Sequence, residues 1–346
     1  MLRSMARSTT ARRLILTGTM LAVGLFYGLG GVSSARVAAH REAGARAASK
    51  PVKIAFLSFA VANSYDGPML SAAKAAAKAD GAQLSVLDAN NNPATQLSQL
   101  QTAVDNGQYN ALIVEPIFGP GLVPEVKVAI KKGIKVADVD EILGSNLRSH
   151  AAQVPGLAAN IVFVPYDLGY KMGTLTVAAC AAKHISNCTV GFMYDIKATP
   201  FDGALRNGYD AAIAGHHISV VTEGQSEYTI TIGVTAAQDM LTSHPGLNVI
   251  VGADQGLEGA ERVASKNLIL IGYGGSAAAL SGVASGAWYG DVVQLPESEG
   301  RDAVNDLVAA VRNGKTFAGV ELSLSLSDGG VATKSNVKKF HAEWAG

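Results

Sequence analysis

Polar side chains with binding or catalytic potential collect just after the apolar runs of this 346-residue chain. Asn63, Tyr65 and Asp66 follow VKIAFLSF, Glu115 follows NALIV, and Asp140 and Glu141 close IKVADVDE. Asp195, Asp254 and Tyr273 occupy the matching places in the second half. Carboxylates and amides accept hydrogen bonds from hydroxyl groups, and aromatic faces cover the apolar side of a sugar ring. Asp and Asn also cap helices that follow strands, so for any single residue both roles stay open. Two carboxylates can cleave a glycosidic bond if they face each other across it. Asp140 and Glu141 are neighbours on a strand end and are expected to diverge, so a glycosidase would need Asp254 or Glu115 as partner. No residue is assigned a catalytic role, and the chain is read as a binding protein rather than an enzyme.

Other chemistries lack their residues. No G-x-x-x-x-G-K-[ST] phosphate loop, H-E-x-x-H zinc helix or G-x-S-x-G nucleophile elbow occurs. GYGGSA, Gly272 to Ala277, fits a loose dinucleotide pattern but falls on a late strand, where its glycines are expected to let the chain turn at a cleft edge. The seven histidines, at 40, 150, 184, 216, 217, 244 and 341, show no ligand spacing, so neither a metal nor a cofactor is expected. Cys180 and Cys188 are the only cysteines; a bridge between a helix end and the strand TVGFMYD and a pair of buried thiols are both open.

Charge is uneven along the chain. Residues 1–50 hold eight Lys or Arg against Glu42 alone, so the remainder carries 20 basic and 27 acidic side chains. A body of that sign has no broad attraction for nucleic acid or anionic lipid, and neither is expected as a partner. Arg3, Arg7, Arg12 and Arg13 precede LILTGTMLAVGLFYGLGGV and small residues follow, the layout of a secretory signal peptide over 1–35, with a flexible tether over 36–50. Export is therefore expected, to a periplasm or, without an outer membrane, to the cell envelope or medium. A retained membrane anchor is the alternative for this segment.

From residue 51 nearly continuous apolar runs alternate with amphipathic segments. VKIAFLSF (52–59), LSVLD (84–88), NALIVE (110–115), IKVADVD (134–140) and NIVFV (160–164) read as parallel strands covered on both faces. The series restarts after a helix near 168–183 with TVGFMYD, HISVVT, LNVIVG, NLILIGY and AWYGDVV. In DANNNPATQLSQLQTAVDNG, Asn92 is placed to cap a helix begun by Pro93, with Leu97, Leu100 and Val104 as its buried stripe and Gly107 as its stop. The expected fold is α/β, two doubly wound parallel-sheet lobes, with ligand bound between them at the carboxyl ends of the strands.

VLDANNNPATQLSQLQTAVDNGQYNALIVEP, TPFDGALRNGYDAAI, LTSHPGLNVIVGADQGLEGA, LILIGYGG and VVQLP together resemble the ribose-type periplasmic sugar-binding proteins. Those are the substrate receptors of bacterial sugar ABC importers, and their fold is shared with LacI-type effector domains. The resemblance covers about 51–330 and implies a type I periplasmic binding protein, its lobes joined by a three-strand hinge near Pro165, Leu295 and Leu322. It implies a first lobe of 51–165 with 295–322 and a second of 166–294 with 323–346. The implied ligand contacts are Asn63, Tyr65, Asp66, Glu115, Asp140, Glu141, Tyr228, Asp254, Tyr273 and Gln294. Asn63, Asp140 and Gln294 keep the ribose receptors' residue type. Glu115, Glu141, Gly203 and Gly274 depart from it: the two glutamates stand where the pattern has donors, and the glycines stand where it has Arg and Asp side chains. The expected ligand is thus a small sugar or sugar alcohol other than ribose, delivered by a monomeric receptor to the membrane permease of an ABC importer. An amine-bearing ligand is the second choice, and a sensory or chemotaxis receptor for such a ligand or a furanone is the alternative role.

Overall fold

The computed structural model describes residues 50–346; the expected signal segment and residues 36–49 of the tether lie outside the described residues. β1 (Lys53–Ser58), β2 (Gln83–Asp88), β3 (Ala111–Val114), β4 (Lys135–Asp140) and β5 (Ala159–Val162) form a parallel sheet in the order β2-β1-β3-β4-β5. Alternate residues of β1 face opposite cores: Ile54 and Phe56 pack on one side, Ala55 and Leu57 on the other. Both faces are covered by helices, α1 (Asp66–Ala79), α2 (Pro93–Asp105) and α3 (Gly119–Lys131) among them, which is why these strands carry so few polar residues.

The second sheet is built from β6 (Cys188–Tyr194), β7 (Ile218–Gln225), β8 (Val249–Ala253), β9 (Ile269–Gly274), β10 (Gly290–Val293) and β11 (Val331–Thr333). Its order is β11-β10-β9-β8-β6-β7, parallel except for β11. α4 (Pro165–Ala182), α5 (Pro200–Ile213), α6 (Ile230–Ser243), α7 (Asp254–Glu261) and α8 (Ala277–Ser285) cover it. α4 and α5 cross closely because Gly169 lies against the Leu205 carbonyl and Gly208 against the Tyr166 carbonyl, where a methyl group would collide with backbone. α9 (Pro296–Asn313) returns to the first sheet, burying Ala303, Val304 and Leu307 with Ile54 and Phe56.

The chain passes between the sheets three times: from β5 into α4, from β10 into α9, and from 317–320, which pairs with β5 through an Ile161–Val320 bridge, toward β11. These are two parallel-sheet α/β lobes. Among the described residues no helix is long and apolar enough to cross a membrane.

Asn92 caps α2, its Oδ1 accepting from Thr95 N at 3.0 Å, with Pro93 at the first turn and Leu100 and Val104 buried. The helix also carries a buried Gln96 whose Nε2 donates to the Glu115 carbonyl at 2.6 Å and whose Oε1 accepts from Ile117 N at 2.9 Å. One amide thus fixes the exit of β3. Three strands differ from the sequence expectation. AWYGDVV is strand only from Gly290, because Trp288 turns into the lobe core and donates to Glu261 at 2.8 Å. HISVVT extends to Gln225, and β11 is too short to read as a strand from VAT alone.

Cys180, ending α4, and Cys188, opening β6, form a disulfide that settles the open choice in favour of a bridge. It closes a short loop, for which chain entropy gives about 2–3 kcal/mol of stabilisation. The Cys180→Ala/Cys188→Ala variant is expected to lose that amount in urea titration; a loss below about 0.5 kcal/mol would remove the bridge as a stabilising element.

Candidate functional site

The carboxyl ends of the two sheets face each other across a cleft with an atom-free space of about 450 Å³, of which about 40 Å³ admits the centre of a water molecule. On the first lobe the loop after β1 is folded by its own side chains: Asn63 Oδ1 accepts from Tyr65 N at 2.8 Å and Asp66 Oδ2 from Ala60 N at 3.0 Å. This holds Asn63, Tyr65 and Asp66 along the cleft wall. At the end of β4, Asp138 turns inward and accepts from Leu143 N at 2.8 Å, while Asp140 takes a left-handed conformation with φ 63°. Such a backbone is tolerated by Asp better than by most residues and concentrates at functional sites. Asp140 and Glu141 both line the cleft.

On the second lobe Tyr228, also left-handed with φ 53°, follows β7, and Tyr273 ends β9. Behind them Asp195 accepts from Ser226 Oγ at 2.7 Å and from the Tyr273 hydroxyl, so its oxygens are spent on holding the wall. Gln294 closes the edge at the β10 crossing, its N donating to the Gly274 carbonyl at 3.3 Å. Contacts cross the cleft: Gln255 Nε2 lies 3.4 Å from Ser64 Oγ and 3.5 Å from Asn63 Oδ1, and the Phe59 and Tyr228 rings meet edge-on at 6.2 Å.

The C-terminal segment completes the wall. Trp344 Nε1 donates to the Gly274 carbonyl at 2.8 Å, its ring meets Tyr65 edge-on at 5.4 Å, and Glu343 accepts from Ser298 N at 2.8 Å at the start of α9. Two adjacent residues of the tail therefore touch both lobes.

Eight of the ten expected contacts, Asn63, Tyr65, Asp66, Asp140, Glu141, Tyr228, Tyr273 and Gln294, line the cleft together. Glu115 and Asp254 lie behind it. Glu115 is fully buried, its Oε2 accepting from Phe59 N at 2.9 Å, with its carboxyl in hydrogen-bonding reach of Asp66. Asp254 accepts from Ser276 N at 2.7 Å and pairs with Asp291. A Cβ at Gly272 would stand 2.5 Å from Asp291 Oδ2 and 2.9 Å from Asp254 Oδ1, so the missing side chain makes room for this acid pair. In each pair burial and the neighbouring acid raise the pKa of Glu115 and of Asp254, favouring the protonated form. Phe59, Phe201, Ala253, Gln255, Gly274 and Trp344 complete the lining and were not among the expected contacts. Gln255 and Gly274 stand beside nominated residues, whereas no sequence signal marks Trp344.

Every acid at the first-lobe wall is held above its ordinary pKa. Burial comes first at Asp66, reinforced by Asp140, and pushes it up to about 8. Burial likewise raises Glu115, with Asp66 next; Asp140, with Glu115 next; and Glu141, with Asp140 next. On the other lobe Asp202 and Asp291 rise to about 6, again chiefly by burial. Among the lining residues there is no Lys, Arg or His.

A family model described as "Periplasmic binding protein domain" matches residues 54–316. The chain belongs to the periplasmic binding protein family. The match ends before the tail that carries Trp344, so this wall of the receptor's cleft lies outside the matched region. Among curated relatives, the Ribose import binding protein RbsB of Salmonella typhimurium is 23% identical over 252 residues, covering 71% of this chain and 80% of that protein. An ABC transporter solute binding protein from Mycobacterium smegmatis, solved with bound glycerol, superposes with a TM-score of 0.70 at 24% identity, covering 86% of this chain and 99% of that one. A periplasmic solute binding protein from Actinobacillus succinogenes 130z with bound D-allose gives 0.69 at 20% identity, covering 84% and 100%. The last two likenesses establish the type I receptor fold.

Proposed function

We propose that this receptor is exported, closes its two lobes over one small sugar or sugar alcohol, and delivers that solute to the membrane permease of an ABC importer. The observation that carries the reading is a strand-end cleft lined from both lobes by acceptors and aromatic faces, the combination that holds hydroxyl groups and covers an apolar ring face. The names of the relatives, a ribose import protein and receptors holding glycerol and D-allose, support the solute class and the importer. The disulfide supports an oxidising compartment and hence export. Lobes of 51–165 with 295–322 and 166–294 with 323–346 move about segments near Pro165, Leu295 and Leu322. Ligand that bridges them stabilises the closed form, and the permease reads that form from a monomer.

Calorimetry of the ligand-stripped receptor against monosaccharides and polyols from glycerol to myo-inositol is expected to find at least one binder below about 1 mM. Small-angle scattering should show contraction on binding. Absence of any binder among hydroxylated solutes, charged or neutral, would refute the reading.

A further inference from the structure

Resting on that reading of the cleft as the solute site, we propose that the ligand is a hydroxylated amine, an amino sugar or amino polyol bound as its ammonium ion, held where Asp140 and Glu141 meet the aromatic wall.

Two acids behind the second-lobe wall have their donors in the protein. On the second lobe Asp195 is satisfied by Ser226 and Tyr273, and Asp202 by the backbone N–H groups of Asp195 and Ile196, the latter at 2.6 Å. Among the described residues no cation or backbone donor meets the Asp140 or Glu141 carboxyl on the first lobe; the Tyr65 hydroxyl is within reach of Asp140, and none of these residues donates to Glu141. None of the ion pairs among the described residues includes Asp66, Asp140 or Glu141.

Behind this wall the shortage of donors continues. Glu299, fully buried, meets the cleft-lining Tyr65 hydroxyl at 3.3 Å with Oε2 and leaves Oε1 without a partner. A neutral polyol can donate hydroxyl hydrogens to such groups but brings them no positive charge. An ammonium group brings three donors and one positive charge to the same place, and opposite charge at short range is what brings buried carboxyls back to their ionised form. Tyr65, Tyr228 and Trp344 present ring faces and edges around the same space, as cation sites commonly do. Among the described residues no group of three or more His, Cys, Asp or Glu is arranged to hold a metal ion.

The test pairs each amine with its neutral counterpart on the full, ligand-stripped chain at pH 7: serinol with glycerol, D-glucosamine with D-glucose, D-galactosamine with D-galactose, and 1-amino-1-deoxy-D-glucitol with D-glucitol. N-acetylated forms serve as uncharged analogues of similar shape. In the best-binding pair the amine is expected to bind at least about 10-fold tighter than both uncharged partners, a difference of about 1.4 kcal/mol. Glu141→Gln should shrink that ratio toward one. Neutral partners binding as tightly as the amines, or more tightly, would overturn the ammonium site and leave the solute-receptor reading intact. No binding by either set would overturn both. A preserved ratio in Glu141→Gln would also remove Glu141 from the proposal.

Discussion

A receptor carrying Asp140→Ala is expected to bind its ligand about 100-fold more weakly, with folding stability within about 1 kcal/mol of the unaltered chain. The carboxyl lines the cleft at the end of β4, and apart from the Tyr65 hydroxyl nothing in the protein satisfies it. Losing a charged acceptor to a buried ligand group costs about 1.5–3 kcal/mol, which converts to between about tenfold and 150-fold in affinity. The folded state has less to lose. Alanine tolerates the left-handed backbone at φ 63° less well than aspartate, by about 1 kcal/mol. Relief of repulsion with Glu115, Glu141 and Glu299 offsets that cost. Asp138→Ala gives the contrasting result. Asp138 accepts from Leu143 N at 2.8 Å in a fully buried site, so its removal strands a buried N–H and is expected to cost about 1–3 kcal/mol of stability. Calorimetry and denaturant melts on both variants separate the roles. Unchanged affinity in Asp140→Ala would take Asp140 out of the site.

The contrast between these two aspartates marks the limit of what sequence patterning carries. Strand order, the capped helix from Asn92 and the alternation of the two cores follow from periodicity and end signals, which are local properties. So does the placing of polar residues at strand ends, and eight of the ten nominated side chains do meet at the cleft. Which way a strand-end side chain finally points depends on one backbone dihedral and on partners distant in sequence. Glu115 is drawn behind the wall by Phe59 N, 56 positions away, and Asp254 by Asp291, for which Gly272 leaves room. Asp140, left-handed at its strand end, and Glu141 both line the cleft. Trp344 is the extreme case. Its contacts are with Gly274 and Tyr65, 70 and 279 positions earlier, and the tail that carries it has no apolar periodicity to announce a docked element.

The ligand-free receptor is expected to be most stable near pH 4 and to lose a few kcal/mol as pH rises to about 8. The sign follows from which state holds the protons. Burial raises the Asp66 carboxyl from 3.8 to about 8 and the Asp291 carboxyl from 3.8 to about 6, and it raises Glu115, Asp138, Asp140, Glu141 and Glu299 in the same direction. Between about pH 4 and 8 the folded chain therefore binds more protons than the unfolded chain, and its stability must fall as pH rises. A displacement of two pH units at one site corresponds to about 3 kcal/mol, so a single such group makes the slope measurable. Glu223 and Asp328 are shifted downward by their hydrogen-bonding partners, but they act near and below their ordinary carboxylate range and leave this window alone. Glu115→Gln should flatten the upper limb. It leaves Asp66 beside a neutral amide in place of a second acid, and at pH 8 the variant is expected to melt above the unaltered chain. Saturating ligand should flatten the same limb if it carries an ammonium ion, because the cation holds the first-lobe carboxyls ionised in the folded state; a neutral polyol would preserve the slope. Melting curves at fixed ionic strength from pH 5 to 8, with and without ligand, check all three expectations. A ligand-free profile that is flat or rising across that range would mean that the buried carboxyls are already ionised in the folded chain.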